Sequence, residues 1–335
     1  MTALHAPLSF APLRRVIRRV MQRSFGVMAL LAIGADAAHA QGFPVRSLEL
    51  RVPFVAGTAP DAVARTLAEV MAQDLGQPVL VVNQPGAGGA IGYKYVQAQK
   101  PDGYTMVLTS NSLSTAYHAG MLPFDYRGLD TVARVSVELP ILAVKADSPL
   151  NDLKDVVAFA KARPGELRVG NPGIGSHMHL MSVAFFMSQN VEVNNVPFAT
   201  TGHIGALLGS HIDAVIALPG TVSANVRTGG LKVLGVLAKS REPQFQSVPS
   251  AAEQGFAFDG DLWRGIAVPK GTPPMVIARL EHAVRTAVNS PQFKQRGELL
   301  GFVPSFGTGA ELTAYMAQED RVIAQLMDKT GLKAK

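Results

Sequence analysis

Apolar and polar positions fall into short, regular blocks along this chain. "SLELRVPF" alternates as a strand with one buried face does, and "AVARTLAEVMAQDLG" repeats apolar residues at spacings of three and four, the pattern of an amphipathic helix closed by Gly76. "PVLVVN" is the next strand, so this segment predicts a βαβ unit. The plan returns downstream, with "LRVG" as a strand, "NPGIGS" as a glycine turn, "HMHLMSVAFFMSQN" as a helix and "VEVNNVPF" as a strand leading into "ATTGH". The runs "YTMVLTS", "LPILAVK", "DAVIAL", "LKVLGVLA" and "LWRGIAVP" are short, β-branched and nearly continuous in apolar residues. Alternating with helices, they predict mostly parallel sheets covered on both faces. Two helical patterns, "PPMVIARLEHAVRTAVN" and "GAELTAYMAQEDRVIAQLMDKTG", close the chain.

The first forty residues break this rhythm. A basic stretch "RRVIRRVMQR", an apolar "FGVMALLAIGA" and the small-residue site Ala38-His39-Ala40 follow one another in the order of a secretory signal, which predicts cleavage after Ala40. The apolar part is about a dozen residues, short of the ~20 a spanning helix needs. The leader also skews the charge. It holds Arg14, Arg15, Arg18, Arg19 and Arg23 against Asp36, so the whole-chain net charge of +6 falls to 6 − (5 − 1) = +2 for the mature chain. That balance, with no Lys/Arg run interleaved with aromatics after Gln41, gives no reason to expect a nucleic-acid partner. The chain has no cysteine, which excludes disulfides, thiolate metal sites, a cysteine nucleophile and a lipid-bearing cysteine. Nearly three hundred mature residues exceed what one core comfortably serves, so two domains are expected.

Three glycine turns carry the candidate chemistry. "NQPGAGGAIG" sits between a strand and a helix but lacks the glycine spacing of a dinucleotide loop. What remains is the physics of a helix start, where backbone N–H groups and the helix dipole favour an anion. "VAGTAPD" contains Thr58-Ala59-Pro60-Asp61, a capping-box pattern; Thr58 and Asp61 either satisfy backbone donors or leave Gly57 and the free N–H groups facing a ligand. "GIGSH" is a second anion-friendly turn in which Ser176 is either an N-cap or a ligand hydroxyl. His177 and His179, two residues apart, point to different sides of a helix and suit shared metal ligation poorly, so no metal and no cofactor are expected. Signatures of nucleophilic, zinc-dependent and phosphate-loop enzymes are absent: G-x-S-x-G, S-x-x-K, H-E-x-x-H and a Walker lysine are all missing.

Taken in order, "VPF" with its glycine turn and "DAVAR", "GQPVLVVNQPGAGGAIG", "PDGYT", "GIGSHMHL", "LLGSHID", "SVPSAAEQGF" and "LWRGIAVPKGTPP" resemble the substrate-binding receptors of tripartite tricarboxylate transporters, the Bug-type periplasmic proteins. The resemblance covers nearly all of the mature chain. It implies an α/β protein of type II periplasmic binding-protein fold: two doubly wound α/β domains, a ligand cleft and a hinge that the chain crosses twice. The expected division is residues 43–144 plus 268–335 for one domain and 145–267 for the other, with "ILAVK" and "GIAVP" as the crossings. The resemblance further implies a small carboxylate ligand, an organic acid or an amino acid, and membrane transporter subunits as partners of a monomeric receptor. Carried over position by position, the ligand-binding candidates are Phe54, Gly57, Thr58, Gly88, Ser110, Gly175, Ser176, His177, Thr200 and Asp213. Asp213 reads equally well as a turn or cap residue.

Two departures from the family pattern bear on specificity. The first turn reads Ala56-Gly57-Thr58-Ala59 where relatives carry successive glycines, which narrows that wall and adds a hydroxyl. Pro197-Phe198-Ala199-Thr200 replaces "PYKG", losing a tyrosine hydroxyl and a lysine. Two other readings stay open here: a periplasmic enzyme acting on a small acid through Asp61, Asp213 or a histidine, and a ligand-presenting subunit of a signalling system.

Overall fold

A computed structural model describes residues 42–174, 176–198 and 202–334. The leader and its cleavage site, and the candidates Gly175 and Thr200, lie outside the described residues.

Strand β1 (Leu48–Val52) buries Leu48, Leu50 and Val52 on alternate positions, as its sequence pattern requires. Helix α1 (Ala59–Leu75) turns Val63, Leu67, Val70, Met71 and Leu75 inward. It stops at Gly76, whose left-handed backbone (φ 67°) lets its N–H bond the carbonyl of Ala72. Strand β2 (Val79–Asn83), helix α2 (Ala90–Gln97) and strand β3 (Thr105–Ser110) repeat the crossover, leaving β2 and β3 parallel to β1 on its two sides. Helix α3 (Ser112–His118) follows, then strand β4 (Leu129–Glu138).

After Glu138 the chain needs only Leu139 and Pro140 to reach a second sheet. There it forms β5 (Ile141–Lys145), α4 (Leu153–Ala162), β6 (Arg168–Pro172), α5 (His177–Ser188), β7 (Asn194–Phe198), α6 (Gly202–Leu208), β8 (Ala214–Ala217), α7 (Pro219–Arg227) and β9 (Leu231–Val236), in the strand order β7-β6-β8-β5-β9. Residues 237–261 lead back to β10 (Leu262–Pro269), which is followed by α8 (Pro274–Asn289), α9 (Pro291–Leu300), β11 (Val303–Thr308) and α10 (Gly309–Lys329). The first sheet is thereby completed as β11-β4-β10-β3-β1-β2.

Two expectations change. The sheets are mixed rather than mostly parallel: β10 runs against β3 and β4, β11 against β4, and β5 against β8 and β9. Parallel neighbours need a crossover helix, and strands that carry the chain straight from one sheet to the other have none. The passages between sheets also lie at residues 139–140 and 237–261. "ILAVK" is therefore an interior strand of the second sheet, and "GIAVP" is part of β10 in the first.

Coverage of both faces is realised in β5. Leu142 and Val144 pack with Val156, Phe185 and Phe186 on one side, while Ile141 and Ala143 pack with Ile204, Leu207 and Val222 on the other. This is the physical reason for its unbroken apolar run. Helix α5 is apolar nearly all round because it is enclosed. Phe185 and Phe186 meet the second sheet, while Leu180 meets Ile323 and Met327 of α10, and Met178 and Met181 meet Leu262 and Leu326. Among the described residues no helix is long and apolar enough to cross a membrane.

Candidate functional site

The glycine turns all follow the carboxyl ends of parallel strands, where open α/β sheets place their ligands. In the first sheet they follow β1 and β2, and the polar end of β3 lies beside them. Asp61 is the knot after β1. Its Oδ2 accepts the Gly57 N–H at 2.9 Å and Arg65 Nε at 3.0 Å, and its Oδ1 accepts Asn83 Nδ2 at 2.9 Å. Asn83, the last residue of β2, also donates to the Phe54 carbonyl at 3.1 Å, and its Oδ1 accepts Arg65 Nη2 at 3.1 Å. Burial by itself would raise the Asp61 carboxyl; the hydrogen bonds from Arg65, Gly57 and Asn83 outweigh it and hold the group below the ordinary carboxylate range.

The capping box read at Thr58 takes another form. Thr58 stands at the N-cap position of α1, but its hydroxyl donates to the Val55 carbonyl at 2.6 Å and accepts no backbone N–H of the helix. Asp61 reaches back one residue further than a box requires, to Gly57. The two residues close the turn on itself.

In the turn after β2, most glycines answer to packing. A Cβ on Gly89 would come within 3.2 Å of Pro53 and Tyr93, and one on Gly92 within 3.2 Å of Pro53 and of the Gln84 carbonyl. The first turn thus lies against the start of α2, and only glycine admits that approach. Gly88 differs, with Met121 Sδ at 3.8 Å as its one neighbour. Its φ of 62° still demands glycine, while its surroundings leave room. After β3, Ser110 is buried; its Oγ meets Ser112 Oγ at 2.9 Å, and Ser112 Oγ meets the Tyr93 hydroxyl at 2.8 Å. Phe54, Gly57, Thr58, Gly88 and Ser110 are therefore brought together.

In the second sheet Ser176 is the N-cap of α5. Its hydroxyl donates to the Pro172 carbonyl and accepts the His179 N–H at 3.2 Å. His177, the first residue of α5, is 6% exposed, and its Nε2 lies 2.5 Å from the carbonyl oxygen of Asp261, just before β10. Burial lowers its pKa to about 4, so the ring is neutral. His179 is lowered by burial as well.

Asp213 stands apart. Its carboxylate takes a fork of two bonds from Arg168, Nη2 to Oδ1 at 2.7 Å and Nε to Oδ2 at 3.0 Å, and the Arg168 N–H at 2.9 Å. Arg168 begins β6 and the glycine turn follows its end, so Asp213 is roughly 13 Å of strand away from that turn. Its carboxyl, which burial would raise, is held low by Arg168.

Sequence patterns missed a polar group where the chain returns from the second sheet. The Asp261 carboxylate accepts the Tyr315 hydroxyl at 2.7 and 2.8 Å. Glu319 accepts Trp263 Nε1 at 2.6 Å and the Asn111 side-chain amide, while Asn111 Oδ1 accepts the Trp263 N–H at 3.1 Å. Beside them Arg264 Nη2 meets Glu138 Oε2 at 2.5 Å, with both side chains 2% exposed. The juxtaposition of Trp263 and Arg264 in "LWRGIAVP" was the available signal, since two large polar-tipped residues inside an apolar strand need buried partners. No group of His, Asp, Glu or Cys among the described residues is arranged to hold a metal.

Known proteins resemble this arrangement along most of its length. The family model described as "Tripartite tricarboxylate transporter family receptor" matches residues 63–332. Protein BugT of Bordetella pertussis is 31% identical over 316 residues, covering 92% of this chain and 97% of that protein. A TctC solute-binding protein from Polaromonas superposes with a TM-score of 0.74 at 33% identity, over 86% of this chain and 99% of the other. MatC from Rhodopseudomonas palustris, solved with bound malate, gives a TM-score of 0.73 at 26% identity over 85% and 99%.

Proposed function

Because the chain belongs to the tripartite tricarboxylate transporter receptor family, we propose that it captures a small carboxylate between its two sheets and delivers it to the membrane subunits of such a transporter. The observation that carries this reading is that the family match runs from within α1 past the end of α10 and so takes in every strand of both sheets except β1. The lobes would be the two sheets with their helices, joined through residues 139–140 and 237–261. Phe54, Gly57, Thr58, Gly88 and Ser110 would form one wall, and Gly175, Ser176, His177 and Thr200 the other. The turns "VAGTAP", "PGAGGAIG" and "NPGIGS" contain neither lysine nor arginine, so the anion would rest on backbone N–H groups, hydroxyls and helix starts, each start contributing about 0.3–1 kcal/mol.

The carboxylates that an enzyme reading would use are already engaged. Asp61 is held by Arg65 and Asn83, and Asp213 by Arg168, and both are depressed rather than poised near neutrality. A binding role fits these groups better. Bound malate in the similar MatC makes dicarboxylic acids the first ligands to try. The chain would reach the periplasm through its leader, and N-terminal sequencing of the secreted protein should then begin at Gln41.

The deciding experiment is a thermal-shift and calorimetry panel of dicarboxylates, tricarboxylates, amino acids and aromatic acids. A true ligand at a hundred times its Kd stabilises the folded form by about 2.7 kcal/mol. A panel in which neutral sugars or cations shift the protein and no carboxylate does would overturn the reading.

A further inference from the structure

His177 carries a feature that the general reading does not use. A carbonyl oxygen can only accept, so the 2.5 Å contact with the Asp261 carbonyl requires His177 Nε2 to carry the proton. In a neutral ring Nδ1 is then a bare acceptor. It is buried and has no hydrogen-bond partner among the described residues. Nδ1 is also bonded to the ring carbon that joins Cβ, so it stays close to the main chain of His177, the first residue of α5, while Nε2 reaches out to Asp261 just before β10.

This places two opposite demands side by side. The N–H groups of His177 and Met178 at the start of α5 have no intrahelical carbonyl, that of His179 being taken by Ser176, and they attract a carboxylate. A carboxylate cannot answer Nδ1, because it too only accepts. A substituent on the neighbouring carbon that donates, a hydroxyl or an ammonium, answers it. Leaving a buried acceptor unmatched is costly, and sites built to bond a ligand hydroxyl discriminate against analogues that lack one. Building on the carboxylate-receptor reading, we infer that His177 Nδ1 is a specificity-determining acceptor that selects 2-hydroxy or 2-amino carboxylic acids over their unsubstituted counterparts. Asp261 is the positioning residue, since its carbonyl sets the tautomer while its carboxylate is fixed to Tyr315 of α10.

The test is calorimetry of the ligand-free protein with matched acids: succinate, malate and aspartate, then glutarate, 2-hydroxyglutarate and glutamate. The donor-bearing member of at least one series is expected to bind tenfold or more tightly than the unsubstituted one. His177→Gln can keep a donor towards Asp261 but removes the Nδ1 acceptor, and its ratio should collapse to near one. His177→Asn places an oxygen near the Nδ1 position and should restore part of the preference, which a merely structural histidine would not do. Nitrogen-15 spectra of the wild type give a reading independent of any variant's folding: the free protein should show the Nε2–H tautomer, with the Nδ1 resonance moving when malate or aspartate binds but not with succinate. Equal wild-type affinities across each series, or a preference retained in His177→Gln, would overturn the inference while leaving the receptor reading intact. No binding by any acid would overturn the receptor reading and this inference together.

Discussion

Thr58 shows how a local motif can be met in composition and changed in use. Its hydroxyl donates to the Val55 carbonyl, so it adds nothing to the donors at the start of α1. Thr308 is the internal contrast: there the hydroxyl accepts the Glu311 N–H, and Glu311 accepts the Thr308 N–H in a complete capping box. Thr308→Ala should therefore cost about 1 kcal/mol, and Thr58→Ala less than about 0.5 kcal/mol, in urea denaturation. Equal losses would mean that Thr58 caps α1 in solution. Thr58→Gly, which widens the wall, should alter which acids shift the melting temperature while leaving the fold intact. If the ligand ranking is unchanged, Thr58 does not line the cleft.

Helix α5 links the second sheet to α10, and Leu180 is the fully buried residue at that junction. Truncating it opens a cavity facing Ile323 and Met327 rather than a surface dimple. Leu180→Ala is expected to destabilise the protein by about 2–5 kcal/mol in chemical denaturation. A loss below 1 kcal/mol would show that α5 and α10 are loosely apposed. Because α5 begins at the candidate ligand turn, the same variant should weaken carboxylate binding even though Leu180 stands three residues, nearly a turn, from His177.

For the molecule as a whole, the network around the returning strand makes stability depend on pH in an unusual direction. Burial pushes the Glu319 carboxyl up to about 8 and that of Glu242 up to about 7, from an ordinary value of 4.5. Between about pH 5 and 8 the folded protein therefore holds protons that the unfolded chain has released, so stability falls as pH rises. Each such group can contribute at most about 1.4 kcal/mol per pH unit. The depressed carboxyls of Asp61 and Asp213 act oppositely, but only as pH falls below their ordinary value of 3.8, outside this window. The buried His177 and His179, whose pKa values are lowered, oppose the trend inside it, but only below about pH 6.5, and the two glutamates outweigh them across the full range. The melting temperature should be higher at pH 5.5 than at pH 8.5, and Glu319→Gln should flatten the difference. A melting temperature that rises from pH 5.5 to 8.5 would contradict the assignment.

Element types, the glycine turns and the family likeness were legible in the chain because periodicity, caps and turn residues are short-range. Helix α1 with its closing Gly76, and the two-faced apolar run of β5, follow from such patterns alone. Tertiary pairing decided the rest. The reversed direction of β5, β10 and β11 depends on which neighbours each strand pairs with. Asp213 is drawn from the site by Arg168, forty-five residues away in sequence, and His177 owes its bare nitrogen to a carbonyl eighty-four residues on. Such partners act through space across intervening strands and helices, and no spacing along the chain encodes them.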